Sequence, residues 1–173
     1  MKKKLKKDSE YIRGQSIYLT YPTEEDAKGE WHYWFHSHDL MSLVGRAPWP
    51  NSRKDQIKYL DNVRRSKDRL LLLIKILKNN KTIGVISLSK INYHHRSAES
   101  AIIIGNDNYR NGLFALEAVS MITEIGLINL NLNRIYSSTL LLNEGAHNLN
   151  KLLGWRKVGI CKKSHYYKGR YVD

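Results

Sequence analysis

Between residues 98 and 118 the chain reads Ala-Glu-Ser-Ala-Ile-Ile-Ile-Gly-Asn-Asp-Asn-Tyr-Arg-Asn-Gly-Leu-Phe-Ala-Leu-Glu-Ala. A strand-like run ends in a polar, glycine-containing loop that opens directly into a helical stretch. The first N–H groups of such a helix have no intrahelical partner and share the positive end of its dipole. That junction suits an anion such as pyrophosphate. Arg110 adds a guanidinium at the mouth. The same residues also suit a plain strand-to-helix connection in which Gly112 eases a turn, and the segment alone leaves both readings open.

Other chemistry-bearing residues are less committed. His32 and His36 stand at helical i, i+4 spacing, with His38 nearby and His94-His95 further on, but no acidic or cysteine ligand set accompanies them, so no metal is expected. Trp31, Trp34 and Trp49 suit an acceptor pocket between the first helices and the sheet. Trp34 and Trp49 are the substrate-binding candidates. Core burial competes for Trp31 and Trp34, and Trp49 is better placed because it sits in the proline-flanked loop Gly45-Arg-Ala-Pro-Trp-Pro50.

The elements that must position these residues follow from the patterning. Residues 1–11 are expected to be a basic flexible tail, and residues 12–173 a single domain with no repeat and no linker. Gln15–Tyr21 alternates as a strand and Pro22 stops it. Thr23 caps a helix with Glu24, Glu25 and Asp26 in its first turn, continuing through Trp31, Trp34 and Phe35. Ser52 opens a second helix through Ile57, Leu60 and Val63. Leu70–Leu77, Thr82–Ile91 and Ala98–Ile104 read as an antiparallel meander, turning at Lys78-Asn-Asn-Lys81 and Tyr93-His-His-Arg96. Leu113–Asn129 is the longest helix, Arg134–Leu142 a strand, and Ala146–Leu153 a short helix ended by Gly154. Trp155–Cys161 is expected to be a final strand. The fold class is therefore mixed α/β (α+β), with a mostly antiparallel central sheet flanked by helices.

Composition limits the partners. The 173 residues carry 29 Lys and Arg against 16 Asp and Glu, a formal charge of +13. Such an excess attracts polyanions without selecting among them. The longest apolar run, Leu70–Ile74, is far short of the ~20 residues of a membrane span, and no apolar core follows the basic start to make a secretory signal. Cys161 is the single cysteine, so an intrachain disulfide is impossible and a cytoplasmic setting is expected.

Four segments, in order, resemble the GNAT superfamily of acetyl-coenzyme A-dependent N-acetyltransferases, in the branch with the ribosomal-protein and nucleotide-sugar enzymes. They are Gly14-Gln-Ser-Ile-Tyr-Leu-Thr-Tyr-Pro-Thr-Glu-Glu-Asp26; Ile83-Gly-Val-Ile-Ser-Leu with Ala98-Glu99; Tyr109-Arg110 through Ala118; and Leu130-Asn-Leu-Asn-Arg-Ile-Tyr136 with Asn143-Glu-Gly-Ala146 and Leu153-Gly-Trp155. The resemblance implies transfer of acetyl from acetyl-CoA, as co-substrate, to a primary amine: an amino sugar, a peptide N-terminus or a small-molecule amine. It places coenzyme binding on Ile102, Ile103, Ile104, Arg110, Asn111, Gly112, Leu113, Phe114, Ala115 and Asn143. The strand at Ile102–Ile104 should diverge from the one at Ile135, with a backbone N–H polarising the carbonyl. Glu99 is the expected base, with pairing to Arg96 as its alternative; Asn143 is also a natural helix cap.

Three departures accompany it. Leu113 stands where the family's loop has glycine, which opposes close approach of phosphate unless the register shifts to Gly112. Asn150 replaces the tyrosine acid, for which His147 is the substitute candidate. The chain stops at Gly169-Arg-Tyr-Val-Asp173, where relatives continue into a last strand; this implies a truncated sequence or a short strand. A degenerate GNAT domain and a basic nucleic-acid-binding module are the competing readings. Scattered basic residues without a stacking motif count against nucleic acid. A membrane partner is not expected, and a homodimer is an open expectation.

Overall fold

Residues 10–44, 49–110 and 112–173 are described by the computed structural model. Leu71–Ile74 is buried on both faces of its strand, which requires cover on both sides of the sheet. That strand, β3 (Leu70–Ile76), lies inside a six-stranded sheet. Its order is β1 (Glu10–Arg13), β2 (Ile17–Thr20), β3, β4 (Thr82–Asn92), β5 (Ser97–Ile104) and β6 (Arg134–Tyr136). Neighbours from β1 to β5 are antiparallel, and β6 joins β5 in parallel.

One face is covered by α4 (Leu113–Glu124), which continues as a π-helical turn at Ile125–Asn129. Ala118, Val119, Ile122 and Ile125 share a core there with Leu72, Ile74, Ile86 and Leu88. The opposite face carries α1 (Glu24–Lys28), a 3-10 helix (Glu30–His36), α2 (His38–Leu43) and α3 (Arg53–Arg65). Trp31, Trp34, Leu40, Met41, Leu60 and Val63 cover Leu71, Leu73 and Val85. Thr23 and Ser52 each close a full capping box, with Asp26 and Asp55 three residues on, so α1 and α3 begin where the sequence places them.

Several expectations are corrected. The helix expected to run through Phe35 breaks at Gly29, whose backbone is extended, and Ser37 caps a separate α2. The expected tail gives way to β1 at Glu10, and Tyr11 sets its ring 5.0 Å from that of Tyr21. Residues 1–9, and residues 45–48 of the expected loop, lie outside the described residues. The strand expected to reach Leu142 stops at Tyr136, and α5 (Glu144–Leu152) follows. Trp155–Cys161 forms no strand: Val158 is 83% exposed, so no neighbouring strand covers it. The C-terminal residues instead make a hairpin of β7 (His165–Tyr167) and β8 (Arg170–Val172), tied to α2 by a 2.9 Å Lys168–Asp39 ion pair.

Candidate active site on an open strand edge

β5 has partners on both sides for only part of its length. Its rungs with β6 are Ser97 to Arg134, Ala98 to Ile135 and Glu99 to Tyr136, whereas its pairing with β4 continues to Ile104. Beyond Glu99 the β6 side of the strand is open. Backbone polar groups alternate between the two edges of a strand. The Gly105 N–H donates to the Ile83 carbonyl on the β4 side at 2.9 Å. The groups of Ile103 therefore face β4, and those of Ile102 and Ile104 face the open edge. Of the three expected coenzyme residues, Ile103 has its N–H turned away from the opening.

The loop after β5 bends back onto it. Asn106 caps a short turn at Asp107–Tyr109, and Tyr109 sets its ring 5.8 Å from that of Phe114. Arg110 does not stand free at the mouth. Its Nε donates to the Ile104 carbonyl at 2.8 Å, and Nη2 lies 2.8 Å from Asp107 Oδ1. Its charge braces the end of β5 because that carbonyl has lost the strand that would otherwise bond it. Gly112, at φ 89, is the N-cap of α4 and offers no side chain to the helix's first N–H groups. No acidic residue lies in the first turn, so an anion meets no repulsion there. The side chain of Leu113 is 69% exposed, directed outward, while Phe114 and Ala115 pack on the core. Asn111 lies outside the described residues.

Glu99 sits at the last two-sided rung of β5. Its Oε2 is 2.7 Å from Lys90 Nζ, and the hydrogen bond and charge of Glu99 raise the Lys90 pKa. Arg96, the expected partner, instead donates to the carbonyl and side-chain oxygens of Asn131, both at 2.7 Å. Lys90 adopts φ 52 where the β4–β5 register shifts, and this irregularity is hard to see in sequence.

The other candidates are spread out. Asn143 caps α5, accepting the Ala146 N–H at 3.1 Å. His147 Nε2 is 3.1 Å from the Leu140 carbonyl, which can only accept, so Nε2 is the donor of that bond. His147 and Asn150 line a cleft of about 860 Å³, bordered by β6, α5 and residues 155–161; among the described residues, none of β5 or of 110–115 lines it. Trp34 is buried at 7% exposure, and a β-carbon at Gly105 would run into its indole. Trp34 is thus a wall against the end of β5 rather than an open lining residue, while Trp49 is 78% exposed beside a smaller cleft. His32 and His36 donate to the Gly29 and Asn51 carbonyls, and among the described residues no group of three or more His, Cys, Asp or Glu converges.

Sequence reasoning missed Glu117. Its carboxylate accepts the Gln15 and Ser16 N–H groups at 2.5 and 3.0 Å, tying α4 to the β1–β2 turn. A carboxylate among the apolar residues of the first two turns of α4 was the available signal.

The acetyltransferase (GNAT) domain model matches residues 16–156. The spermidine N(1)-acetyltransferase of Vibrio cholerae serotype O1 is 28% identical over 135 residues, 78% of this chain and 76% of that one. The crystal structure of spermidine N-acetyltransferase from Vibrio cholerae with CoA and spermine superposes at a TM-score of 0.85, with 23% identity over 92% of each chain. A dodecameric structure of the Vibrio cholerae enzyme gives 0.77, with 22% identity over 92% and 91%. These likenesses extend the match in fold across the sheet and its helices.

Proposed function

The chain belongs to the GNAT acetyltransferase domain family and is an acetyl-CoA-dependent N-acetyltransferase; from that premise we propose that the reaction takes place at the open edge of β5. The observation that carries this reading is the end of the β5–β6 ladder at Glu99 and Tyr136. Acetyl-CoA supplies the activated acyl group when bound. The residues present suit it: an uncovered strand edge for an extended arm, and a glycine-capped, acid-free helix start for phosphates.

In this reading the Ile102 N–H donates to the acyl carbonyl oxygen, where negative charge develops as an amine attacks. The Phe114 and Ala115 N–H groups bind pyrophosphate at the start of α4, and Arg110 holds the strand end in place for both. Asn143 has its oxygen committed to capping, which leaves its amide nitrogen for the pantetheine arm. Glu99 lies three residues, or about 10 Å, from Ile102 along the strand, beyond the span of one water, so it takes the amine's proton along a short chain of waters. No side chain is assigned as the acid, since Asn150 has no acidic proton to give and His147 lines a cleft that no described residue of β5 borders.

The acceptor is a primary amine carried by a small molecule or peptide. It approaches from the face holding the 3-10 helix and α3, opposite α4. The relatives act on spermidine by name, and one assembles as a dodecamer; self-association of this chain is part of the proposal. So is a cytoplasmic setting, with Cys161 exposed as a free thiol. Among the described residues no helix is long and apolar enough to cross a membrane.

The test is calorimetry with acetyl-CoA, followed by turnover across spermidine, glucosamine, aminoglycosides and short peptides. Saturable coenzyme binding with acetylation of at least one amine is expected. Absent coenzyme binding favours the degenerate-domain reading suggested by Leu113 and Asn150. Salt-sensitive retention on DNA without coenzyme binding would favour the nucleic-acid reading.

A further inference from the structure

Glu99 has a cation on each side. Toward β4, Lys90 Nζ lies 2.7 Å from Glu99 Oε2. Toward β6, Glu99 shares a rung with Tyr136, and the Arg134 guanidinium lies 5.7 Å from the centre of that ring. Ile103 joins the core under the 3-10 helix and α3, while Ala98 and Ile104 join the other. By alternation, Glu99 belongs to the acceptor face of the sheet.

Fold stability does not explain the position of Lys90. Ser89 pairs with Glu99, and in a regular strand the next residue would point to the opposite face. At Lys90 the backbone turns left-handed, φ 52, where the β4–β5 register shifts, and its side chain comes round to Glu99. The Lys90 side chain is 70% exposed and that of Glu99 23%. An exposed ion pair stabilises a fold little, and a left-handed lysine costs at least as much. An ammonium carries three donors, of which the Glu99 bond uses one. That leaves two for an oxygen arriving from solvent.

We propose that Lys90 selects the acceptor by binding an anionic oxygen group, such as a carboxylate, carried beyond the reacting amine. The spacing suits this. The amine meets the acyl carbon near the Ile102 N–H, and Glu99 lies about 10 Å back along the strand, so a short carbon chain bridges from there to Lys90. A second ammonium at the same place would find the Glu99 carboxylate already paired, with Lys90 and Arg134 repelling it. The preferred acceptor is thus opposite in charge, at its far end, to the spermidine that names the Vibrio cholerae relative. The proposal rests on the acetyltransferase reading but not on Glu99 being the base.

The experiment measures kcat/KM, per amine group, for δ-aminovalerate, aminopentanol and cadaverine. They share one five-carbon chain and end in an anionic, a neutral and a cationic group. With the full chain and saturating acetyl-CoA, the values are expected to fall in that order, by about fivefold at each step. Comparing amines within one variant cancels any change in Glu99 itself. Lys90→Gln should bring the three within about twofold of one another, Lys90→Arg should keep the order, and Lys90→Glu should reverse it. Rising salt should compress the order in the unmodified chain, because the contact is exposed; this arm needs no variant. Cadaverine or aminopentanol as the best acceptor, an order that survives Lys90→Gln, or ratios unmoved by salt overturns the proposal. If no amine is acetylated, calorimetry in the presence of CoA separates the two readings. A preference for δ-aminovalerate over cadaverine that Lys90→Gln abolishes overturns the acetyltransferase reading and leaves the Lys90 site standing; no such preference overturns both.

Discussion

The two halves of β5 differ in one respect. Ser97–Glu99 has β4 on one side and β6 on the other, while Ser100–Ile104 has β4 alone. Composition does not separate them, since both halves bury apolar residues on the α4 side. In the closed half the backbone groups are consumed by the sheet. In the open half they need other partners, and the Ile104 carbonyl finds one in Arg110. A strand that loses its neighbour partway acquires a row of oriented donors and acceptors on a rigid support. Such a row stabilises developing charge without reorganising for it.

The largest effect is expected at the junction of the halves. If Glu99 accepts the amine's proton, Glu99→Gln lowers kcat by about 10²–10⁴-fold. The KM for acetyl-CoA should barely move, because the coenzyme contacts proposed above lie in the open half. Raising the pH should recover part of the rate, as more amine becomes neutral unaided. Near-native turnover at neutral pH would leave Glu99 as no more than the partner of Lys90.

Gly105→Ala tests the end of the open half. A β-carbon there collides with the buried Trp34 indole. Overpacking against a wall that cannot yield is expected to cost about 2–3 kcal/mol, read as a lowered midpoint of thermal unfolding. Acceptor KM should rise with it, since Trp34 borders the acceptor side. Unchanged stability would show that the indole moves freely, and would remove the wall from the argument.

Asp26 supplies a control far from the junction. Burial pushes its carboxyl up, but hydrogen bonds from Lys75, at 2.9 Å, and from Thr23 outweigh that and leave it below the usual carboxylate range. A depressed folded pKa adds stability at neutral pH that is lost as pH falls through that folded value. Asp26→Asn should therefore cost about 1.5 kcal/mol at pH 7. The difference from the native chain should shrink in acid, while kcat/KM for the coenzyme stays the same. A gap that widened on acidification would contradict the assigned shift.

Much of the scaffold was legible because its signals are local. Thr23 and Ser52 announce α1 and α3 by reciprocal bonds within four residues, and Gly154 takes the left-handed turn, at φ 74, that ends α5. Where sequence reading failed, the deciding partner was remote. Arg134–Leu142 has a strand's composition, but pairing past Tyr136 depends on where β5 and α5 leave the backbone. Trp155–Cys161 likewise has no strand to receive it. Among the candidate residues, sequence singled out Arg110 and Glu99 but not the groups they contact. Arg110 turns back because a carbonyl is exposed six residues upstream, and Glu99 meets Lys90 through a register shift in the neighbouring strand. Side-chain direction is set by the packed neighbours, and the spacing of residues along the chain carries little of it.

The smallest effect is expected at Leu113, the residue that departs most visibly from the family's loop. At 69% exposure its side chain is largely in solvent, and the left-handed turn is supplied one residue earlier by Gly112 at φ 89. Leu113→Ala should therefore change the acetyl-CoA dissociation constant by less than about twofold, the scale of a surface substitution. Gly112→Ala is the contrast. No atom lies within 4 Å of where its β-carbon would stand, so space is not the obstacle. The left-handed backbone is, and holding alanine there costs roughly 1–2 kcal/mol. If that strain relaxes the turn, the Phe114 and Ala115 N–H groups lose their common aim and coenzyme affinity falls by about tenfold. Calorimetry on the two variants separates them. A large loss for Leu113→Ala with none for Gly112→Ala would mean that the phosphates meet the loop through side chains, and the backbone cradle at the head of α4 would have to be abandoned.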